Sequence, residues 1–139
     1  MAIEQDNVAI LRDGYARWNE SKGRSVDHWL SLMADDIDFR SLADGMEGLD
    51  FTVRKNARAA VTDYFNELLK RFELIHFTVE DFIAQDDKVV VVGSTAWRNR
   101  LTGKVFDTPK VDIVRLRDGL IVEVREFYDT AKVMEASKP

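Results

Sequence analysis

The sequence predicts one α+β domain across residues 1–139, and three observations carry that prediction. Apolar residues recur at three- and four-residue steps through the first half of the chain. From Leu74 onward the period changes to alternation, the mark of strands. Turn-forming residues at Asp86-Asp87, Thr102-Gly103-Lys104 and Arg117-Asp118-Gly119 then divide the alternating half into four strands. Helices first and antiparallel strands after is an α+β order.

Asp6 is placed to cap a first helix running to about Ser21, with Val8, Leu11, Tyr15 and Trp18 along one stripe. Trp18 reads as a packing residue. A buried tyrosine hydroxyl needs a partner, so Tyr15 points at something polar inside. Lys22-Gly23 breaks the helix. Ser25 caps a second one, with Val26, Trp29, Leu30 and Met33 on one face, and Asp35-Asp36 ends it. Residues 37–42 form a short strand. Residues 43–54, with Gly45, Gly48 and Asp50, form a loop of the length used for lids and pocket rims. Residues 56–72 are the strongest helix, with a broad stripe that includes Val61, Tyr64, Phe65 and Leu68. Strands follow over 75–84, 88–101, 105–116 and 120–128. Pro109 is expected at a strand start or a bulge, because it has no N–H for a ladder. Asp129 caps a last helix over 130–136.

Composition narrows the function. The net charge is -5 and the basic residues are scattered, which argues against a nucleic-acid surface. The chain has no cysteine, so disulfides, thiolate metal sites and a cysteine nucleophile are excluded. His28 and His76 lie far apart in the sequence, and no metal is expected. No glycine-rich phosphate motif is present, and no cofactor is expected. No apolar run approaches the roughly 20 residues of a membrane span. The N-terminal MAIEQDNV lacks a signal pattern, so a cytoplasmic location is expected.

The last hairpin admits two registers. A two-residue turn at Asp118-Gly119 sets Asp112 opposite Arg125, a surface pair, and turns Val111 and Ile113 toward Leu120, Val122 and Val124. A three-residue loop with Gly119 in a bulge sets Asp112 opposite Val124 and Lys110 opposite Glu126. A slip of one residue moves every side chain of a strand to the other face. On the first reading the hairpin is only a scaffold; on the second it is the floor of a pocket. Likewise, a two-residue turn at Asp86-Asp87 faces Thr95 and Trp97 inward and sets His76 opposite Trp97.

The stretches LMADDIDF, FTVEDFIAQDDKVVVVGSTAW and DIVRLRDGLIVEVREFYDT resemble the nuclear transport factor 2-like superfamily, in particular its SnoaL-like and ketosteroid-isomerase-related branch. The resemblance spans nearly the whole chain. It implies a cone of three N-terminal helices packed on a strongly curved antiparallel sheet. It favours the three-residue loop, with Asp112 facing the pocket, and a homodimer through an outer face bearing Val111, Ile113, Ile121 and Phe127. It aligns Tyr15 and Asp112 with the tyrosine and the proton-donating acid of ketosteroid isomerase. The base position of that family falls on Ser41, which cannot serve as a carboxylate. Of the three polar positions of limonene epoxide hydrolase, two fall on Gly93 and Thr95, and only Glu126 keeps its role.

This resemblance implies an inward set of Tyr15, Lys110, Asp112, Glu126 and Tyr128. Asp112 is the expected neutral acid, beside Tyr15. Glu126, held charged by Lys110, or His76 is the expected proton carrier. Trp18, Ser41, Thr95, Trp97, Lys110, Val114 and Tyr128 are the expected ligand contacts. The ligand or substrate is expected to be a small hydrophobic carbonyl compound, acted on by isomerisation, cyclisation or dehydration. Two other readings stand beside this one: a binding module without catalysis, and a dimeric interaction domain with a filled cone.

Overall fold

The computed structural model describes residues 2–139. Helix α1 spans Ala2–Glu20, so Asp6 lies inside the first helix rather than capping it. Helix α2 is a short turn and a half, Val26–Ser31. It crosses α1 where Gly14 leaves room: a Cβ on Gly14 would lie 2.8 Å from the Trp29 ring. Strand β1 follows at once, Met33–Ser41, and carries Asp35 and Asp36 as exposed residues. They therefore do not end the helix. The chain then loops through a short 3-10 turn, Asp50–Thr52, into α3, Arg58–Arg71.

Four long strands complete the sheet: β2 (Phe72–Gln85), β3 (Lys88–Asn99), β4 (Val105–Arg117) and β5 (Leu120–Tyr128). Helix α4, Thr130–Ala136, closes the chain, with Asp129 accepting from the Lys132 amide at 3.2 Å as its cap. The sheet order is β1-β5-β4-β3-β2. Strand β1 runs parallel to β5, so the sheet is mixed rather than wholly antiparallel. It also separates α2 from α3, so the three helices are not one uninterrupted run. Pro109 lies inside β4, opposite Ser94, neither at its start nor at a bulge. It sits one residue beyond the last β4–β5 pair, Lys110 with Tyr128.

Irregularities in the pairing decide which side chains face the core. Arg117 pairs with Leu120, so the last hairpin has a two-residue turn. Asp118 and Gly119 both take positive φ, 53° and 79°, as a primed turn requires. The register then shifts, because Leu116 pairs with Ile121 but Arg115 pairs with Glu123. Val122 is the extra residue, and it turns the rest of β5 over. Beyond it Asp112 faces Glu126, and Lys110 faces Tyr128. Neither expected partner of Asp112, Arg125 or Val124, is correct, and Lys110 does not pair with Glu126. The tight turn nevertheless coexists with a polar inner face, because the bulge undoes its consequence. Ile121, expected on the outside, is 1% exposed and belongs to the core.

Similar shifts interrupt β2 and β3 between Leu74 and His76 and between Val79 and Asp81. The second requires Gly93, where a Cβ would sit 2.0 Å from the Thr78 carbonyl oxygen. The sheet curls around α1 and α3, and one apolar cluster fills the space, from Leu11 and Val61 to Val89, Leu116 and Ile121. Val111, Ile113 and Phe127 stay half-buried on the outer face, beside Val90 and Val92. Among the described residues, no helix is long and apolar enough to cross a membrane.

Candidate functional site

A cavity of about 130 Å³ opens inside the curled sheet. Helix α1 contributes Tyr15 and Trp18 to its wall, α2 contributes Trp29, and α3 contributes Tyr64 and Phe65. The strands contribute Phe39, Phe77, Thr95 and Trp97, and the inner face of β4 and β5 supplies Lys110, Asp112, Val114, Glu126 and Tyr128. Nearly half of the lining residues are aromatic, so a ligand here gives up water for ring faces.

Against this apolar wall runs one chain of polar groups. The Tyr15 hydroxyl donates to Asp112 Oδ2 at 2.5 Å. Lys110 Nζ donates to Asp112 Oδ1 at 2.5 Å and to Glu126 Oε2 at 3.1 Å. The Tyr64 hydroxyl donates to Glu126 Oε1 at 2.6 Å. The three charged side chains are only 8% to 11% exposed. Every carboxylate oxygen thus has a donor, as burial of charge requires. Beside the chain, the hydroxyls of Tyr128 and Ser41 share a hydrogen bond at 2.6 Å.

Burial and the two carboxylates set the protonation of the donors. Burial raises the Tyr15 pKa well above the phenol range, and Asp112 and Glu126 raise it further. Tyr64 is raised by burial and then by Glu126. Tyr128 is pushed up to about 12, again by burial first and Glu126 second. For Lys110 burial alone would lower the pKa, but Asp112 and Glu126 outweigh it, and the net direction is upward. The donors are therefore two phenols that keep their protons and an ammonium that keeps its charge. A nucleophilic, neutral lysine is excluded by the same arrangement.

The family profile of the SnoaL-like domain matches residues 11–124. The chain belongs to the SnoaL-like domain family. Solved structures agree on the fold. An NTF2-like protein of unknown function from Burkholderia pseudomallei K96243 superposes with a TM-score of 0.85 at 19% identity, over 96% of this chain and 98% of that one. A putative SnoaL-like polyketide cyclase from Jannaschia sp. CCS1 gives 0.79 at 21% identity, over 100% and 97%. TerC, co-crystallised with polyporic acid, gives 0.78 at 21% identity, over 94% and 97%. At these identities the likeness establishes the fold alone. No curated protein matches the chain.

Within this SnoaL-like domain, Tyr15, Asp112 and Glu126 share the cavity wall with Trp18, Thr95, Trp97, Lys110, Val114 and Tyr128. Two expected residues do not line it. His76 pairs with Ala96 rather than Trp97, because the shift after Leu74 turns it to the other face. There it bonds to Thr78 Oγ1 at 3.1 Å and lies 3.9 Å from Asp107. Ser41 is buried but meets the cavity only through its bond to Tyr128. Asp112 accepts from Lys110 on one oxygen and from Tyr15 on the other; the donor role expected of it requires the Tyr15 bond to reverse.

Sequence reasoning missed Tyr64 as a polar participant. Its signal was present: like Tyr15, it is a tyrosine in the apolar stripe of a helix and needs a partner for its hydroxyl. Phe39, Phe77 and Trp29 were readable only as core. Among the described residues, no group of three or more His, Cys, Asp or Glu side chains is arranged to hold a metal ion.

Proposed function

We propose that this domain binds a small, neutral carbonyl compound and moves a proton on it without a cofactor. The observation that carries this reading is the chain Tyr15–Asp112–Lys110–Glu126–Tyr64 on the wall of an aromatic cavity. Apolar cavities of roughly 150 Å³ hold a benzene-sized molecule. The volume of about 130 Å³ therefore suits a single ring. Two carboxylates and one ammonium leave the chain with one excess negative charge, which disfavours anionic ligands.

Glu126 is the base in this reading. Its contact with Lys110, 3.1 Å, is longer than that of Asp112, 2.5 Å, so its charge is the less compensated of the two. It takes a proton from the carbon beside the carbonyl, and the negative charge passes to the enolate oxygen. Lys110 uses two of its three N–H groups within the protein, which leaves the third for that oxygen. Tyr15 is a second donor, held as a phenol. The description of the Jannaschia relative as a putative polyketide cyclase supports a carbonyl-bearing ligand.

A second reading is non-catalytic binding in the same cavity. It is favoured by the completeness of the hydrogen bonding and by Ser41 at the position where a carboxylate base is expected. One experiment separates the two. Phenylacetone is incubated with the protein in heavy water and followed by proton NMR. Catalysis is expected to exchange the protons beside the carbonyl faster than buffer, by about a hundredfold or more. Asp112→Asn and Tyr15→Phe are expected to slow the exchange. A ligand-induced rise in Tm with no exchange above buffer means binding alone.

We also propose a homodimer through the outer sheet face. Val90, Val92, Val111, Ile113 and Phe127 supply the apolar patch, and Ile83 extends it, 53% exposed. A monomer mass by light scattering at micromolar concentration is the contrary result.

A further inference from the structure

Strand pairing orders the outer face of the sheet as strictly as the inner one. Two neighbouring rows cross it from β5 to β2. One runs Phe127–Val111–Val92–Asp81, and the next runs Arg125–Ile113–Val90–Ile83. The patch is therefore apolar in the middle and carries one charge at each flank. Arg125 stands on β5, and Asp81 stands exposed on the edge strand β2. Glu80, the exposed residue at the β2 bulge, adds a second carboxylate to that edge.

Most other charges on this face have partners in the chain. Arg115 meets Asp87 at 2.9 Å and Glu123 at 3.9 Å, and Asp107 lies 3.9 Å from His76. Lys88 has none, but it stands at the β2–β3 turn, outside the two rows. Among the described residues, neither Arg125 nor Asp81 has an ion-pair partner. The Arg125 guanidinium rests instead over the Phe127 ring, 5.3 Å from its centroid. Strands β4 and β3 lie between β5 and β2, so the two charges are about 14 Å apart across the sheet and cannot meet within one chain.

We propose that Arg125 pairs with Asp81 of the partner subunit, in a homodimer whose twofold axis runs along the strands between β3 and β4. This rests on the homodimer reading above and adds its orientation. Such an axis exchanges the two flanks of the patch, so β5 of one subunit lies over β2 of the other. The contact is reciprocal, and the pair forms at both edges. Aligned sheets pack about 10 Å apart with strands crossing at about 30°, a gap that arginine and aspartate bridge from opposite sides. An axis across the strands leaves each flank over its own copy, with arginine near arginine and aspartate near aspartate. That orientation is opposed by like-charge repulsion. An apolar patch alone accepts several orientations; the two flanking charges select one. They also favour a second copy as the partner, because the face is complementary to itself.

The test measures mass by light scattering over a dilution series, with far-UV circular dichroism to check each fold. Arg125→Asp sets aspartate against aspartate at both edges, and Asp81→Arg sets arginine against arginine. Each is expected to raise the dimer Kd by about tenfold or more. A chain carrying both reversals restores opposite charges and is expected to regain most of the loss. Mixing the two single variants is expected to give a heterodimer, because each contact then joins opposite charges. If a reversal does not fold, Arg125→Gln and Asp81→Asn, which add no repulsion, are expected to weaken the dimer less but in the same direction. Single variants as tight as the wild type, or a double reversal as weak as the singles, overturn the pairing and leave the homodimer standing. A monomeric wild type overturns the homodimer reading as well.

Discussion

Strands β4 and β5 carry a charged cluster on each face, and the two differ in kind. Inside, Lys110, Asp112 and Glu126 are sealed against the aromatic wall and bridged by one nitrogen. Outside, Arg115 of β4 and Glu123 of β5 join a looser net. Arg54 grips both oxygens of Asp38 at 2.8 Å, Arg40 meets Glu123 at 3.5 Å, and Arg115 meets Asp87 at 2.9 Å. These outer side chains are 23% to 51% exposed. The residue types are alike; access to water is not. Water screens the outer pairs and leaves them little to contribute. The inner group cannot shed charge into solvent, so each of its members depends on the others.

The largest expected consequence is at Lys110. Lys110→Met leaves two buried carboxylates facing each other, and the loss expected is about 3 to 5 kcal/mol in denaturant unfolding. A loss as small as that of a surface substitution breaks the distinction between the clusters. Tyr64→Phe comes next. It strips one donor from a buried carboxylate and is expected to cost about 1 to 3 kcal/mol, measured in the same way.

The three tyrosines offer a spectroscopic test. All are shifted upward, Tyr128 to about 12. Near pH 10, where a free phenol is about half-ionised, the native protein is expected to show little tyrosinate absorbance. The unfolded chain ionises first, so the tyrosines' contribution to stability is full below about pH 10 and is lost as pH climbs toward the folded values. Lys110 acts with the same sign, since its folded pKa is also raised. Native tyrosinate appearing at the free-phenol pH means the phenols are not sealed.

The smallest effect is expected outside. Asp38→Asn is expected to lower Tm slightly, and the difference is expected to shrink on adding salt. The Arg54 hydrogen bond lowers the Asp38 pKa and outweighs burial, which raises it; the charges of Arg54 and Arg40 lower it further. Its contribution is therefore present above the ordinary aspartate range and is lost as pH falls through the folded value. A large, salt-insensitive drop contradicts the difference between the inner and outer clusters.

Much of the fold was legible because it rests on period. The apolar stripes marked α1 and α3, and alternation marked β2 to β5. Register was less legible, because it depends on single inserted residues. The apolar pattern around Arg117-Asp118-Gly119 slightly favours the two-residue turn that the structure has, but nothing local marks Val122 as a bulge. The turn expected from resemblance is wrong, while the inner face expected from it, Lys110, Asp112, Glu126 and Tyr128, holds through the bulge. His76 failed for the same reason in reverse, when a shift after Leu74 turned it outward. The parallel pairing of β1 with β5 joins segments far apart in sequence, and no local pattern encodes it. Tyr64 was within reach of the rule that found Tyr15.

The most direct measurement compares one carboxylate from each face. Deuterium exchange into phenylacetone is followed for the wild type, Glu126→Gln and Asp38→Asn under identical conditions. Glu126→Gln is expected to lose about a hundredfold or more of the catalysed rate, and Asp38→Asn is expected to keep it. Equal rates in the wild type and Glu126→Gln contradict the central claim that the buried chain moves the proton.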